Sequence, residues 1–204
     1  IRDRIITAED PVEYRLPRIT QVQINSKIDL TFSRVLRTFL RQDPDIILVG
    51  EMRDQETVEI GLRAALTGHL VLSTLHTNDA VDSALRMIDM GAPGYLVASA
   101  VRAVVAQRLV RRVCPDCKTE DVVGESRQQW LSGRFPNQSN AVFHKGKGCQ
   151  NCNLTGYRGR IGVFEMLELE HEMMDKLSAN DAVGFAQAAR QSTSYKPLLA
   201  SAME

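Results

Sequence analysis

The stretch Asp43-Pro44-Asp45-Ile46-Ile47-Leu48-Val49-Gly50-Glu51-Met52-Arg53-Asp54 decides how this chain is read. Ile46–Val49 is an unbroken apolar run of β-formers, the pattern of a short strand buried on both faces. In open α/β sheets ligands bind beyond the carboxyl ends of the strands, and Glu51 falls at that end. A carboxylate there can polarise an attacking water or help organise Mg²⁺ around phosphates. The bland alternative is an ordinary exposed glutamate closing a strand. The usual apolar-run-then-Asp-Glu pattern has Gly50 where the aspartate would stand, so Mg²⁺ must be held by another group.

Outward from this strand, short β-rich runs alternate with helical patterns. Arg4–Thr7 and Ile19–Ile24 read as strands, and a helix runs from about Leu30 to Arg41. After Ile46–Val49 come a helix from about Gln55 to Leu66, a strand at Leu70–Thr74 and a helix from Ala80 to Met90. Strands alternating with helices predict right-handed crossovers and a largely parallel sheet. Gly91-Ala92-Pro93-Gly94 interrupts the pattern before a helix expected from Tyr95 to about Val105. The alternation then fails, which places a boundary near Val113. Residues 114–152 hold all four cysteines around a polar stretch, Gly124–Lys147, with little periodicity. Arg160–Leu169 reads as a strand and the remainder as short helices. The expected organisation is thus an α/β core over 1–113, a cysteine module over 114–158, and a carboxyl-terminal strand with helices over 159–204.

Composition sets further bounds. The 204 residues are 44% hydrophobic, with 25 basic side chains balancing 25 acidic ones. That balance provides no global field for nucleic acid or anionic lipid. No apolar run approaches the roughly 20 residues of a membrane span, and no signal peptide opens the chain. The first residues lack an initiator methionine, and Leu198–Glu204 reads as a helix without a cap. We therefore expect a piece of a longer protein.

Three more groups carry chemistry. Thr7-Ala8-Glu9-Asp10-Pro11-Val12-Glu13-Tyr14 follows a strand, and Pro11 takes the chain out of it. Glu9, Asp10 and Glu13 thereby gather at the same sheet edge as Glu51, as candidates to bind Mg²⁺ or water; a solvated acidic turn is the alternative. His69 and His76 bracket the strand at 70–74, with His76 level with Glu51; isolated histidines are otherwise hydrogen-bonded structural residues. Finally, Cys114/Cys117 and Cys149/Cys152 form two Cys-x-x-Cys pairs with 31 residues between them. That spacing can bring four thiolates into tetrahedral Zn²⁺ geometry, with all four positions filled by protein, hence a structural metal. Pro115 and Gly148 favour the tight turns such knuckles need. Disulfides are the rival reading. Lys145, Lys147, Arg158 and Arg160 near the second pair are accompanied only by Phe143 and Tyr157, so a solvated basic face is read rather than a nucleic-acid platform.

In this order the segments resemble the ATPases that drive type II secretion and type IV pilus assembly. Thr7–Tyr14 resembles their Asp box, Ile46–Asp54 their atypical Walker B motif and Gly68–Asn78 their His box. Arg34–Asp45 is similar to the arginine-rich helix leading into Walker B, and the four cysteines to the tetracysteine insert of the extension and type II branch. Within the family the resemblance is greatest to pilus-assembly ATPases of the MSHA type.

The resemblance implies a RecA-like P-loop ATPase core, with Mg²⁺ and ATP as ligands and Zn²⁺ in the tetracysteine module. It implies a cytoplasmic homo-hexamer working on an inner-membrane assembly platform protein, without inserting into the membrane. Reducing surroundings would then favour zinc over disulfides. Glu51 takes the role of general base or water-positioner, with Glu9 and Glu13 beside it in the chemistry and Asp10 at the nucleotide and metal. His69 and His76 would sense the γ-phosphate. Arg37 and Arg41, four apart on one helix face, would supply charge to the transferring phosphate, against a solvated basic face as the alternative. Retraction-type relatives lack the cysteine insert, so extension or secretion is favoured. One departure stands out: no Gly-x-x-x-x-Gly-Lys-Ser/Thr occurs in the 204 residues. Without that loop there is no backbone cradle for the β- and γ-phosphates, and this chain alone is expected to hydrolyse ATP barely, if at all. Two other classes remain open, a zinc-stabilised interaction module on a vestigial ATPase fold and a nucleic-acid-translocating relative.

Overall fold

Strands β1 (Ile5–Glu9), β2 (Thr20–Gln23), β3 (Ile46–Val49) and β4 (Leu70–Ser73) form a parallel sheet in the order β2-β1-β3-β4. This is seen in the computed structural model, which describes residues 3–135 and 141–203. Ile46-Ile47-Leu48-Val49 is flanked on both sides, by β1 and β4. The register sets Ala8 against Val49, so Glu9 ends its strand beside Gly50. Gly50 N–H donates to Ala8 O at 2.7 Å. A Cβ at Gly50 would lie 3.1 Å from Ala8 O and 3.3 Å from Glu9 Cα. This crowding is a local reason for glycine where an aspartate is usual.

One face of the sheet, Ile6 and Ala8 of β1 with Ile47 and Val49 of β3, is fully buried. Helices α1 (Phe32–Phe39) and α2 (Gln55–Leu66) pack against the sheet. In α1, Phe32, Val35, Leu36 and Phe39 recur at i, i+3, i+4 and i+7 and are all buried, the apolar stripe of an amphipathic helix. Thr31 caps α1, and Asp54 caps α2 by accepting from Thr57 N and Thr57 Oγ1, each at 2.9 Å. The cap is what turns the chain into a helix three residues after Glu51. Leu70 and Leu72 of the edge strand β4 stay half exposed.

Beyond the sheet, α3 (Ala80–Asp89) and α4 (Gly94–Ala100) are followed by β5 (Ala103–Val113). The helix expected through Val105 therefore ends five residues early. Val101 already has extended backbone, and Val104, Val105 and Val110 are β-branched residues that favour a strand. The partner is β8 (Tyr157–Glu168), some fifty residues on. Bonds from Leu169 N–H to Arg102 O and from Cys114 N–H to Gly156 O mark an antiparallel ribbon. Helices α6 (His171–Ser178), α7 (Ala182–Gln191) and α8 (Leu198–Ala202) close the chain. Leu96, Val97, Leu167, Met173, Leu177 and Phe185 join the sheet residues in one apolar core.

The chain divides into two compact units, Ile1–Ala106 with Phe164–Glu204, and Gln107–Val163. The final strand and helices thus share a unit with the parallel sheet. Inside the second unit the expected aperiodic stretch is ordered in part. It holds α5 (Glu125–Arg134) and an antiparallel pair of β6 (Lys118–Glu120) and β7 (His144–Gly146); residues 136–140 of that stretch lie outside the described residues. The ion pair of Lys145 with Asp121 at 2.7 Å pins the β6–β7 pair. No helix is long and apolar enough to cross a membrane among the described residues.

Candidate functional site

Glu51 is the centre of the sheet-end site. It leaves β3 at the carboxyl end and is 8% exposed. Arg53 Nη2 pairs with its Oε1 at 2.5 Å, and His76 Nε2 stands 3.4 Å from Oε2. That separation is an ion-pair distance, and buried Oε2 has no hydrogen-bond partner among the described residues. The hydrogen bond from Arg53 lowers the Glu51 pKa most; burial opposes it, and the charges of Arg53 and His76 add to the lowering. The result is a carboxylate held ionised, with one oxygen tied and one unsatisfied. Such an oxygen is suited to accept a proton or orient a water.

The neighbouring loops are fastened around it. Met52 N–H donates to Thr74 O at 3.1 Å, and Thr74 Oγ1 to Gly50 O at 2.5 Å. These bonds tie the end of β4 to the end of β3 and bring His76 across to Glu51. Glu9 sits one strand away, its Oε1 accepting from Thr7 Oγ1 at 2.5 Å and Gln21 Nε2 at 2.9 Å. Asp10 is exposed and acts electrostatically on Arg53. Glu13 is exposed in a loop that folds back on β2, where Val12 N–H and Tyr14 O contact Gln23 and Gln21.

The structure does not bring every expected residue here. His69 precedes β4, at the opposite end of the strand from His76. Its Nδ1 lies 2.9 Å from Ala64 O and 3.2 Å from Thr67 Oγ1, so it caps the end of α2. The four residues of β4, at about 3.3 Å each, hold His69 and His76 apart. Arg37 pairs with Glu56 of α2 at 2.5 Å, and Arg41 is exposed just before β3 begins. Neither reaches Glu51 within the chain. Arg53, Thr7, Gln21 and Thr74 were not foreseen. For Arg53 the available signal was an arginine two residues past the glutamate, a spacing that puts both on one side of an extended segment.

A second centre lies in the other unit. The Sγ atoms of Cys114, Cys117, Cys149 and Cys152 all lie within 4.8 Å of one another. Cys114–Cys149 and Cys117–Cys152 are 3.9 Å apart and Cys149–Cys152 3.7 Å. A tetrahedron with Zn–S of about 2.3 Å has edges of about 3.8 Å, whereas a disulfide needs about 2.05 Å. The donors therefore fit Zn²⁺ and not paired disulfides. Cys152 Sγ accepts from Cys149 N–H at 3.2 Å and Gly156 N–H at 3.3 Å. These backbone donors, Cys149 foremost, bring its pKa down to about 6. Desolvation pushes Cys117 up to about 12, so a cation is needed to ionise the set together. The knuckle needs glycine at 146 and 156: a Cβ on Gly146 would lie 2.0 Å from Gly156 O.

The fold thus presents two centres, an ionised carboxylate at the carboxyl edge of a parallel α/β sheet and a separate cluster of four thiols that fits a metal ion. The chain belongs to the type II/IV secretion system protein family, whose profile matches residues 1–203. It is 45% identical over 194 residues to the type II secretion system protein E of Aeromonas hydrophila, covering 94% of this chain and 38% of that protein. It is 47% identical over 173 residues to the type IV pilus assembly ATPase PilB of Thermus thermophilus, covering 85% of this chain and 20% of PilB. Among solved structures, the pilus retraction motor PilT with bound ADP superposes with a TM-score of 0.61 at 28% identity, over 94% of this chain and 46% of PilT. The chain thus spans less than half the length of each of these relatives.

Proposed function

We propose that this chain is part of a motor ATPase that couples ATP hydrolysis to type IV pilus assembly or type II protein secretion. The observation that carries the reading is Glu51, whose buried Oε2 is left unsatisfied at the carboxyl edge of the sheet while Arg53 holds Oε1. In this reading Glu51 takes a proton from, or orients, the water that attacks the γ-phosphate. Glu9, oriented by Thr7 and Gln21, stands with Asp10 and Glu13 at the same edge to hold the Mg²⁺ of the Mg·ATP substrate. His76 reports the γ-phosphate to Glu51. Arg37 and Arg41 face outward, and their charge serves a neighbouring subunit of a homo-hexamer rather than their own.

The phosphate cradle is not among these 204 residues; in this reading it is supplied by sequence outside them, and this chain by itself is nearly inactive. Zn²⁺ in the tetracysteine centre is structural. The sequence relatives support assembly or secretion over retraction, since they reach 45–47% identity against 28% for the retraction motor. A narrower kinship with MSHA-type pilus ATPases, a cytoplasmic location and a platform protein at the inner membrane complete the reading.

The test is ATP hydrolysis by a longer chain that includes the glycine-rich loop, beside its Glu51→Gln variant. Loss of about 100-fold or more in turnover with nucleotide binding kept is the expected result. Equal rates would remove Glu51 from the chemistry. No turnover in either, with zinc bound, would favour an interaction module on a vestigial fold. Salt-sensitive DNA binding would favour a nucleic-acid translocase.

A further inference from the structure

Glu165, on β8, is a buried carboxylate for which the proposed chemistry has no use. It is 3% exposed. Its Oε1 accepts from Ala80 N–H at 2.6 Å, and its Oε2 accepts from Leu198 N–H at 2.7 Å and Tyr195 Oη at 3.2 Å. Ala80 N–H is an orphan donor of the first turn of α3, and Leu198 N–H one of α8. One carboxylate therefore caps two helices 118 residues apart in sequence and also fixes a tyrosine.

The α3 terminus is continuous with the loop that carries His76. Asp79 caps α3 through Asp82 N–H at 2.7 Å, and its carbonyl accepts from Ser83 N–H at 3.2 Å and Ser83 Oγ at 2.9 Å. Thr77 Oγ1 and Ser83 Oγ are 2.5 Å apart. His76, next in the chain, places Nε2 3.4 Å from Glu51 Oε2. We propose that Glu165 is a positioning residue that ties the Tyr195–Leu198 segment to the loop holding His76 against Glu51. Docking of the carboxyl-terminal segment thereby sets the geometry of the sheet-end site. The catalytic half of this statement rests on the ATPase reading above; the tie itself does not.

An amide at position 165 cannot serve both ends. Whichever way it turns, its NH₂ faces either Ala80 N–H or Leu198 N–H, two donors, so one bond is lost at nearly unchanged shape. Tyr195→Phe removes one hydroxyl and leaves the ring packed.

Two measurements on Glu165→Gln and Tyr195→Phe test the tie. The first is backbone amide exchange in the 204-residue chain. Exchange at 76–83 is expected to accelerate about tenfold or more in Glu165→Gln and less in Tyr195→Phe, with β1 and β3 unchanged. The second is steady-state ATP hydrolysis by the longer chain below its melting temperature. Here kcat is expected to fall severalfold while KM for ATP stays within about twofold. Exchange unchanged at 76–83 in both variants would overturn the tie. Faster exchange with kcat unchanged, in an enzyme that Glu51→Gln inactivates, would overturn the positioning role. If the parent chain shows no hydrolysis, the ATPase reading has failed and exchange alone decides the tie.

Discussion

Arg53 Nη2 lies 2.5 Å from Glu51 Oε1, while Glu51 Oε2 is buried and accepts no hydrogen bond from the described residues. The asymmetry divides the carboxylate into an anchored oxygen and a working one. Arg53 is largely exposed, so the anchor contributes little to stability. Its effect is on orientation and charge.

Glu51→Gln is therefore expected to change stability by less than about 1 kcal/mol, even where turnover is lost. Thermal melting of the 204-residue variant checks this. A large drop in melting temperature would mean that lost activity reflects unfolding and says nothing about chemistry.

Arg53→Ala removes the leading cause that lowers the Glu51 pKa and leaves burial, which raises it. The acid limb of the pH–rate profile should move to higher pH, because a base must be ionised to act. The linkage has the same sign. A folded-state pKa depressed below 4.5 contributes stability above that pH and loses it as pH falls through the folded value. The variant should consequently show a shallower loss of melting temperature on acidification. An unmoved acid limb would exclude Glu51 as its origin.

Metal analysis should find about one Zn²⁺ per chain, and its removal by a strong chelator should abolish amide protection around Cys114–Cys117 and Cys149–Cys152. Protons compete for the thiolates, so zinc affinity should fall as pH drops. A chain that retains full protection without metal would contradict this.

Gly146→Ala should destabilise the cysteine module by about 2–4 kcal/mol and weaken zinc binding. The added Cβ meets the Gly156 carbonyl at 2.0 Å, a backbone atom that cannot swing aside. Gly133→Ala in α5 meets nothing within 4 Å and should instead add up to about 1 kcal/mol of helix stability. Paired melting curves of the two variants provide the comparison.

Much of the site was legible because its logic is local. An apolar run ending in glutamate, an acidic run broken by Pro11, and a histidine after a strand each place a side chain at a strand terminus. Parallel pairing then brings those termini to one edge. His69 and His76 show the limit: both flank the same strand, and only the direction of β4 sends one to Glu51 and the other to the α2 carbonyls. Arg37 pairs with Glu56 of another helix, a partner that local spacing could not name.

By itself the sequence determined the parallel α/β core, the four-thiolate set and the strand-end carboxylates, because periodicity, Cys-x-x-Cys spacing and chain direction act over a few residues. Tertiary structure alone decided that Arg53 anchors Glu51, that Thr7 and Gln21 orient Glu9, and that β5 pairs with β8. It alone decided that Glu165 caps both α3 and α8. Each of these depends on which distant donor a buried acceptor or strand edge finds once the core has closed. Burial makes that pairing obligatory, but nothing in local spacing names the partner.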